Sequence, residues 1–311
     1  MLLTVTLNAA LDLTYRVPRL RAHASHRVTE AVERPGGKGL NVARVLAALG
    51  HEAVATGLAG GATGARVRAL LGDCAGVRDE LVAVAGTTRR TLAVVDGSTG
   101  DTTQFNEPGP HVTAAEWDAF RARYTALLAG AAAVALCGSL PPGVPVGAYG
   151  ELVRAARAAG VPVLLDTSGE PLVRGIAARP DLVKPNAEEL AQLTGSTDPE
   201  RAALAARRRG AGAVVASLGP EGVLALTGEG AWRAAPPRRI AGNPTGAGDS
   251  AVAGLLSALA EGLDWPRRLA RAVALSAATV AAPTAGEFDR GVYETLLDTV
   301  EVGPYPASVL T

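Results

Sequence analysis

Short apolar runs alternate with helix-like patterns along most of the chain. The runs Leu2 to Leu7, Ala133 to Cys137 and Val161 to Leu165 have the length and apolar character of strands that are buried on both faces. Between the last two, Val146 to Ala159 has the pattern of a helix. This alternation predicts an α/β fold of three layers, α/β/α, in which helices cover both faces of a mostly parallel central sheet.

Polar motifs follow the predicted strands. Asn8 and Asp12 come after the first run, the loop GSLPPG (138–143) comes after the second, and Asp166 comes after the third. Open α/β sheets bind their ligands at the carboxyl ends of the strands. We therefore expect the ligand-binding loops to lie side by side at that end of the sheet.

Length and charge narrow the class of partner. No linker, repeat or low-complexity segment divides the 311 residues, so we expect a single domain over residues 1–311. Lys+Arg and Asp+Glu both number 30, and no basic stripe indicates a nucleic-acid partner. The expected ligand is a small molecule.

The number of cysteines and the hydropathy of the chain indicate the cellular compartment in which the protein works. Cys74 and Cys137 are the two cysteines, which fits a reducing environment and argues against a disulfide framework. The start MLLTVTLNAALDL lacks the basic region of a signal peptide, and no apolar run approaches the ~18 residues of a membrane span. We expect a soluble, cytoplasmic protein with no membrane contact.

Lysine and asparagine are rare, and their positions are informative. The chain has two Lys among its 30 basic residues and five Asn. A bias against Lys and Asn would leave them where they cannot be replaced. All seven lie beside Gly, Pro or acidic clusters, whereas residues retained by chance would be scattered over helix surfaces. They mark candidate functional positions: Lys38, Lys184, Asn8, Asn41, Asn106, Asn186 and Asn243.

The stretch Asn243 to Gly254, NPTGAGDSAVAG, places Gly246, Gly248 and Asp249 at the start of an apolar helix. A helix start offers backbone N–H groups and a partial positive charge, and glycines let an anion approach them closely. The pattern is typical of a phosphate-binding loop. An ordinary turn with Asp249 as a stabilising first-turn acid explains the same residues, and this stretch alone leaves both open.

A second glycine-rich helix start lies at PGGKGLN, residues 35–41. An apolar stripe follows it at helical spacing, and Gly50 ends the helix. The glycines and Lys38 bring amides and an ammonium together, which suits a sugar hydroxyl and a phosphate. The run Gly57 to Gly64 differs, since it has neither the spacing of a dinucleotide loop nor the acid that follows one.

Two segments, about 13–34 and 87–107, predict a small β-sheet lid. Leu13 to Val17 alternates as an exposed strand does, and Arg89 to Val95 and Thr102 to Asn106 flank the turn DGSTG. We group Leu81 to Val84 with this hairpin. The lid would have an apolar face that a monomer leaves in water, formed by Leu13, Tyr15, Leu92 and Val94.

Six motifs, in this order and at these spacings, resemble those of the ribokinase-like sugar kinases of the PfkB type. They are GGKGLNVA, GSLPPG, DTSGE, KPNAEE, SLGPEG and NPTGAGDS, and the resemblance runs from Thr4 to about Leu297. It implies the ribokinase-like three-layer fold with a lid that pairs two subunits into a homodimer. It also implies ATP, Mg²⁺ and a phosphorylated ketohexose, with a monovalent cation as a further candidate.

The resemblance implies roles at the nucleotide end. Asp249 matches the general base, and Gly246, Ala247 and Gly248 match the anion hole, where amides stabilise the transferring phosphoryl group. Asn186 and Glu189 match the motif that holds Mg²⁺ through bound water, although a helix cap explains them too. The remaining matches are to ATP-binding positions, where a plain hairpin turn is the alternative for the last three: Lys184, Ser217, Gly219 and Gly222.

It also implies roles at the sugar end. Asp12, Gly37 and Asn41 match positions that hold sugar hydroxyls. Lys38, Arg89 and Ser139 match positions that hold the phosphate already on the sugar. Arg27 would come from the lid of the neighbouring subunit.

Departures from the family pattern leave the acceptor open. Asn-Pro before TGAGD resembles the tagatose-6-phosphate kinases, GGKG and NEPGP resemble the 1-phosphofructokinases, and AGGATG resembles the minor bacterial 6-phosphofructokinase. Fructose 1-phosphate is the expected acceptor, giving fructose 1,6-bisphosphate. The alternatives are tagatose 6-phosphate, fructose 6-phosphate, an unphosphorylated sugar or nucleoside, and a non-catalytic sensor of sugar phosphate or nucleotide.

Overall fold

The computed structural model describes residues 1–282 and 286–306, which form two sheets. The larger sheet has ten strands. Across the sheet they are β14 (Glu301–Pro304), β13 (Ala231–Ala235), β12 (Val223–Leu226), β11 (Ala213–Ser217), β10 (Leu182–Val183), β9 (Val163–Asp166), β8 (Ala133–Cys137), β1 (Leu2–Thr6), β4 (Ala53–Gly60) and β5 (Val77–Val84). From β11 to β5 every neighbouring pair is parallel, whereas β12, β13 and β14 extend the sheet by antiparallel pairing.

Helices lie on both faces of this sheet, which confirms the three-layer prediction. On one face they are α3 (Ala114–Leu128), α4 (Ala148–Ala158), α5 (Gly169–Ala177), α6 (Ala187–Thr194) and α7 (Pro199–Arg208). On the other they are α1 (Lys38–Ala48), α2 (Gly61–Gly72), α8 (Ala247–Ala260) and α9 (Trp265–Ala281), with α10 (Arg290–Leu297) beside α9. No helix of the described residues is long and apolar enough to cross a membrane.

Sequence-encoded caps start several of these helices. Thr113 and Glu116 form a capping box at the start of α3, and Asp198, Asp264 and Asp289 cap α7, α9 and α10 with their side chains. The sequence pattern predicts a helix over Ala251 to Glu261, but α8 begins four residues earlier, at Ala247. The extra turn places Asp249 inside the helix.

The smaller sheet is the lid. It comprises β3 (Glu30–Gly36), β2 (Ala10–Val17), β6 (Arg89–Asp96) and β7 (Thr102–Asn106), in that order. β2 pairs in parallel with β6, and the other two pairings are antiparallel. The expected hairpin β6–β7 is confirmed. Grouping Leu81 to Val84 with it was wrong, because that run ends β5, which pairs with β4 in the large sheet.

One face of the lid is covered by the chain itself. Helix α2 packs against β2 and β3, with Arg66 on the helix 2.7 Å from Glu33. Val94 is buried, and Leu13 packs against the core beneath the sheet. The expectation that this apolar face lies in water was therefore wrong for Leu13 and Val94. Phe105, on the outer strand β7, is 58% exposed.

Candidate active site

Asp166 lies between the two lysines of the chain. The carboxyl end of β9 carries it, and its side chain is 2% exposed. Lys38 Nζ lies 3.2 Å from one carboxylate oxygen, and Lys184 Nζ lies 3.3 Å from the other. Lys38 begins helix α1 and Lys184 follows β10, so three separate elements bring these charges together at the expected end of the sheet.

Asp249 occupies the first turn of α8 and is held by Asn41. The Asn41 amide donates a hydrogen bond of 2.8 Å to the Asp249 carboxylate, so the two glycine-rich helix starts meet. Gly246, at the N-cap of α8, has φ 84°, a conformation that favours glycine. The Gly248 position lies against Lys184, since a Cβ there would be 3.6 Å from its Nζ.

The three expected anion-hole amides are not equivalent. The Ala247 N–H donates to the Pro244 carbonyl at 3.1 Å, closing the turn that leads into α8. Among residues 1–282 and 286–306, no hydrogen bond uses the N–H of Gly246 or Gly248. Two of the three amides are therefore free to bind an anion without breaking an existing bond.

Burial controls the ionisation of Asp249. It raises the pKa of the carboxyl to about 6, against the opposing effects of Lys38 and the Asn41 hydrogen bond. A helix start favours the ionised form of an acid, but the net shift of this pKa is upward because desolvation outweighs the favourable contacts. Asp249 is still mostly ionised at neutral pH, and its pKa is well placed for a base.

Lys38 stays charged beside these carboxylates. Burial on its own would lower the pKa of Lys38, but Asp166, Asp249 and Glu189 together raise it. Two carboxylates, Asp166 and Asp249, thus face two ammonium groups in a largely buried cluster. A phosphate entering here would meet cations already neutralised in part by protein groups, which is the electrostatic setting for binding and releasing an anion.

The lid carries Asp12 and Arg89, two of the residues that we expect at the sugar end of the site. The Asp12 carboxylate accepts a hydrogen bond from Thr91, and burial raises its pKa against that bond and against Arg89. Gly36 lies so close that a Cβ on it would be 2.0 Å from Asp12 Oδ1, so no side chain fits there. Gly37 is the N-cap of α1, which places the expected sugar-binding glycine beside Lys38.

Arg89 and Ser139 meet through Asn8. Arg89 Nε donates to the Asn8 carbonyl at 3.3 Å, and the Asn8 amide donates to Ser139 Oγ at 3.1 Å. A second nitrogen of Arg89 donates to the Glu107 carbonyl at 3.3 Å. The structure therefore brings Arg89 and Ser139 together. Arg27, which was expected to act on the neighbouring subunit's site, is exposed between β2 and β3 with no described hydrogen bond or ion pair to this group.

A cavity of about 260 Å³ opens from this side of the lid. Asp12 and Thr91 lie at its wall, and the loop before α8 contributes Asn243 and Thr245. The rest of the lining belongs to the same lid face, on β2, β3, β6 and β7. The lid therefore borders a cavity that the Asp12 side chain helps to line.

The expected metal motif forms a helix cap. Asn186 Oδ1 accepts from the Glu189 N–H and Glu189 Oε2 accepts from the Asn186 N–H, both at 2.8 Å. This confirms the structural interpretation of the pair and leaves a metal role untested. Asn186 also bridges to Ser217, which starts the loop carrying Gly219 and Gly222, so the expected nucleotide-binding segments adjoin.

The donor set fits a hydrated Mg²⁺ ion rather than a caged metal. Among the described residues, no group of three His, Cys, Asp or Glu side chains could hold a metal. Asp166 Oδ1 is buried with the Lys184 ion pair as its contact, and Glu189 presents a carboxylate beside the same cluster. Mg²⁺ usually takes one or two carboxylates and keeps several waters, which matches these groups.

Sequence reasoning missed the role of Asp166 and of the groups that brace the loop after β8. It noted Asp166 only as the end of a strand, although its place at a carboxyl end beside the ligand-binding loops was a usable signal. Tyr149 Oη lies 2.9 Å from the Gly138 carbonyl, and Thr167 Oγ1 donates to the same oxygen at 2.8 Å. These bonds fix the loop that carries Ser139, and nothing in the local pattern points to them.

Two curated relatives cover most of the chain. A 1-phosphofructokinase of Rhodobacter capsulatus is 42% identical over 282 residues, spanning 88% of this chain and 89% of the relative. A 1-phosphofructokinase of Xanthomonas campestris pv. campestris is 40% identical over 285 residues, with coverage of 88% and 89%.

Solved structures of the phosphofructokinase-2 of Escherichia coli share the fold. The complex with potassium has a TM-score of 0.90 at 32% identity and covers 96% of this chain and 98% of that one. The same protein has also been solved with fructose-6-phosphate, at a TM-score of 0.88 and 32% identity, with the same coverage. Its tetrameric inhibited form has a TM-score of 0.87 at 33% identity and covers 95% and 98%.

The family model for pfkB family carbohydrate kinases matches residues 3–289, nearly the whole described chain. That match agrees with the ribokinase-like fold, with Asp249 at the glycine-rich start of α8 and with the lysines gathered on Asp166. ATP and a divalent metal are the partners that membership of a kinase family implies. The chain belongs to the pfkB family of carbohydrate kinases and is a phosphotransferase.

Proposed function

We propose that this chain transfers the γ-phosphoryl group of ATP to fructose 1-phosphate and forms fructose 1,6-bisphosphate. The observation that carries the proposal is the meeting of the Asn41–Asp249 pair with the Lys38–Asp166–Lys184 cluster, beside a lid that presents Asp12 and Arg89. A base, an anion hole and two cations thus lie next to a sugar site with its own cation. The choice of acceptor rests on the two curated relatives named 1-phosphofructokinase.

Asp249 acts as the general base in this proposal. The acceptor hydroxyl gives its proton to the Asp249 carboxylate as its oxygen forms a bond to the γ-phosphorus. The bond between that phosphorus and the bridging oxygen of ATP breaks, and ADP leaves with the electron pair. The Asn41 amide fixes the carboxylate, while the amides of Gly246 and Gly248 stabilise charge on the transferring group.

The nucleotide end is proposed on the same grounds. Lys184 lies beside Gly248 and would contact phosphate oxygens, and the loop with Ser217, Gly219 and Gly222 would hold the nucleoside. When bound, Mg²⁺ neutralises phosphate charge, and Asp166, Asn186 and Glu189 would hold it through water. We also infer a monovalent cation requirement, which the potassium complex of the E. coli neighbour supports.

A coupled assay offering ATP with each candidate acceptor tests the proposal. Fructose 1-phosphate should give the highest kcat/KM. Fructose 6-phosphate is the second candidate, favoured by the E. coli neighbour solved with that sugar, and tagatose 6-phosphate is the third. No turnover with any sugar phosphate, together with binding of either ligand, would favour a non-catalytic sensor.

Replacing Arg89 by Ala should raise KM for the sugar phosphate at least about tenfold and leave KM for ATP nearly unchanged. The reason is the loss of a charge-assisted contact worth roughly 1.5–3 kcal/mol. Arg90→Ala is the matched control, since Arg90 follows Arg89 but is paired with Glu107 on the exposed side of the strand. Steady-state kinetics with each substrate varied would show a misassigned site if both KM values rose equally.

We infer that two copies pair through their lids, with Arg27 of each reaching toward the other's site. Phe105 and Val28, both in the lid segments, are 58% and 43% exposed, and Phe105 is the most exposed large apolar side chain among the described residues. Phe105→Glu should shift sedimentation toward the monomer at micromolar concentration, whereas Val173→Glu on helix α5 should not. A strictly monomeric wild type with full activity would contradict this inference.

A further inference from the structure

Three charged side chains from separate parts of the chain meet between the lid and helix α1. Glu287 lies in the segment between α9 and α10, and its Oε1 is 3.1 Å from Nη2 of Arg34 on β3. The same oxygen is 3.2 Å from Nη2 of Arg44 on α1. The Arg44 side chain is 10% exposed and that of Arg34 is 26% exposed. One carboxylate oxygen therefore joins a lid strand to a helix of the main sheet, and the Glu287 side chain that supplies it is 40% exposed.

The two guanidinium groups flank the sugar side of the site. Arg34 lies directly opposite Asp12 in the pairing of β2 with β3. Arg44 lies one turn after Asn41 on α1, and its charge acts on Asp12. The placement of Asp12 relative to Asn41 thus depends on how β3 is held against α1.

The backbone beside Glu287 is packed tightly against α1. A Cβ on Gly286 would lie 2.5 Å from Nη1 of Arg44 and 3.0 Å from Oδ1 of Asn41, so a side chain has no room there. This packing holds the backbone next to Glu287 close to α1, so the Glu287 side chain starts from a fixed position near Arg44. Without that carboxylate, the two guanidinium groups would lose the negative charge that draws them together.

We propose that Glu287 is a positioning residue that sets the lid against helix α1, and thereby sets Asp12 of the lid relative to Asn41 of the helix. The inference rests on the proposed function only for the identity of the ligand that these two side chains hold. Glu287 itself touches neither the reacting hydroxyl nor the nucleotide in this assignment. Its removal should therefore weaken sugar binding and spare the phosphoryl-transfer step.

Glu287→Gln tests this with a shape-preserving change. We expect KM for the sugar phosphate to rise about three- to tenfold, with kcat and KM for ATP within about twofold, since the pair is partly buried and binding alone is affected. Amides of β3 should exchange hydrogen faster in the variant, with or without substrate. Glu33→Gln is the matched control, because it breaks the ion pair with Arg66 on the same strand but outside this cluster.

Arg34→Gln should reproduce the effect, and combining it with Glu287→Gln should add little, because both changes break one contact. Equal increases in both KM values, an unchanged KM for sugar phosphate, or the same result from Glu33→Gln would overturn the proposal. The exchange measurement separates it from the proposed function. If the wild type turns over no sugar phosphate, unchanged exchange in β3 still overturns the positioning role, and faster exchange supports it.

Discussion

Asp249→Asn should lower kcat by roughly 10²–10⁴, because the change removes the group that accepts the hydroxyl proton. The side chain is nearly the same shape and sits in the first turn of α8, so the helix start is retained. KM values for both substrates should change little. Steady-state and single-turnover kinetics measure the loss, and Asp264→Asn, at the start of α9, is a control that keeps full kcat.

The pH dependence of stability provides a second test of Asp249. Its folded-state pKa of about 6 lies above the ordinary value of 3.8, so the folded protein binds this proton more tightly than the unfolded chain does. The free energy of unfolding should therefore fall as pH rises from about 4 to 6, by about 3 kcal/mol from this group. Asp249→Asn lacks this contribution, so urea unfolding should show the wild type losing stability relative to the variant over that window.

Two outcomes would count against the assignment. Retention of more than about a tenth of the wild-type kcat would mean that Asp249 is only a helix-start acid. A variant that loses stability relative to wild type as pH rises from 4 to 6 would mean that the carboxylate is not desolvated. The first concerns catalysis and the second concerns burial, so they can fail independently.

The main sheet could be predicted because its strands are buried on both faces and therefore read as continuous apolar runs. β1, β8 and β9 were located within two residues on this signal. Helix α2 was not expected, because its first residues, Gly61 to Gly64, look like a loop. Its conformation is decided by packing against the lid and β5, a contact that local propensity does not contain.

The error at β5 has the same origin. Leu81 to Val84 lies close in sequence to the hairpin β6–β7, which favours local pairing. The structure instead pairs it with β4 in parallel, from Ala53 with Val77 to Gly60 with Val84. Such register is set by long-range burial, which the sequence of one strand does not specify.

Individual residues of the candidate site could be predicted from the sequence, but the ion pairs among them could not. Lys38 and Lys184 were singled out by their rarity, yet the carboxylate that joins them was not. Asp166 is 128 positions from Lys38 and 18 from Lys184, and only the parallel order of β9 and β10 brings all three together. The burial that raises the pKa of Asp249 is likewise a property of the assembled layers.

Asp166→Asn should lower the free energy of unfolding by about 3–5 kcal/mol, the range for removing one partner of a buried charge pair. The wild-type carboxylate is 2% exposed and faces Lys184, which is 6% exposed, and Lys38, which is 39% exposed. An amide would leave the buried Lys184 ammonium without its ion-pair partner. Urea unfolding at neutral pH measures the loss.

A partly exposed pair gives the matched control. Asp79 lies 2.7 Å from Arg68, with side chains 24% and 33% exposed, so Asp79→Asn should cost no more than about 1 kcal/mol. Adding Lys184→Met to Asp166→Asn should recover part of the lost stability, because it removes the cation that the first change left unpaired. Equal losses for Asp166→Asn and Asp79→Asn would mean that water, rather than the carboxylate, solvates these lysines. In that case Asp166 would not neutralise the charge of Lys38 and Lys184, and phosphate would bind the two lysines without displacing any protein contact.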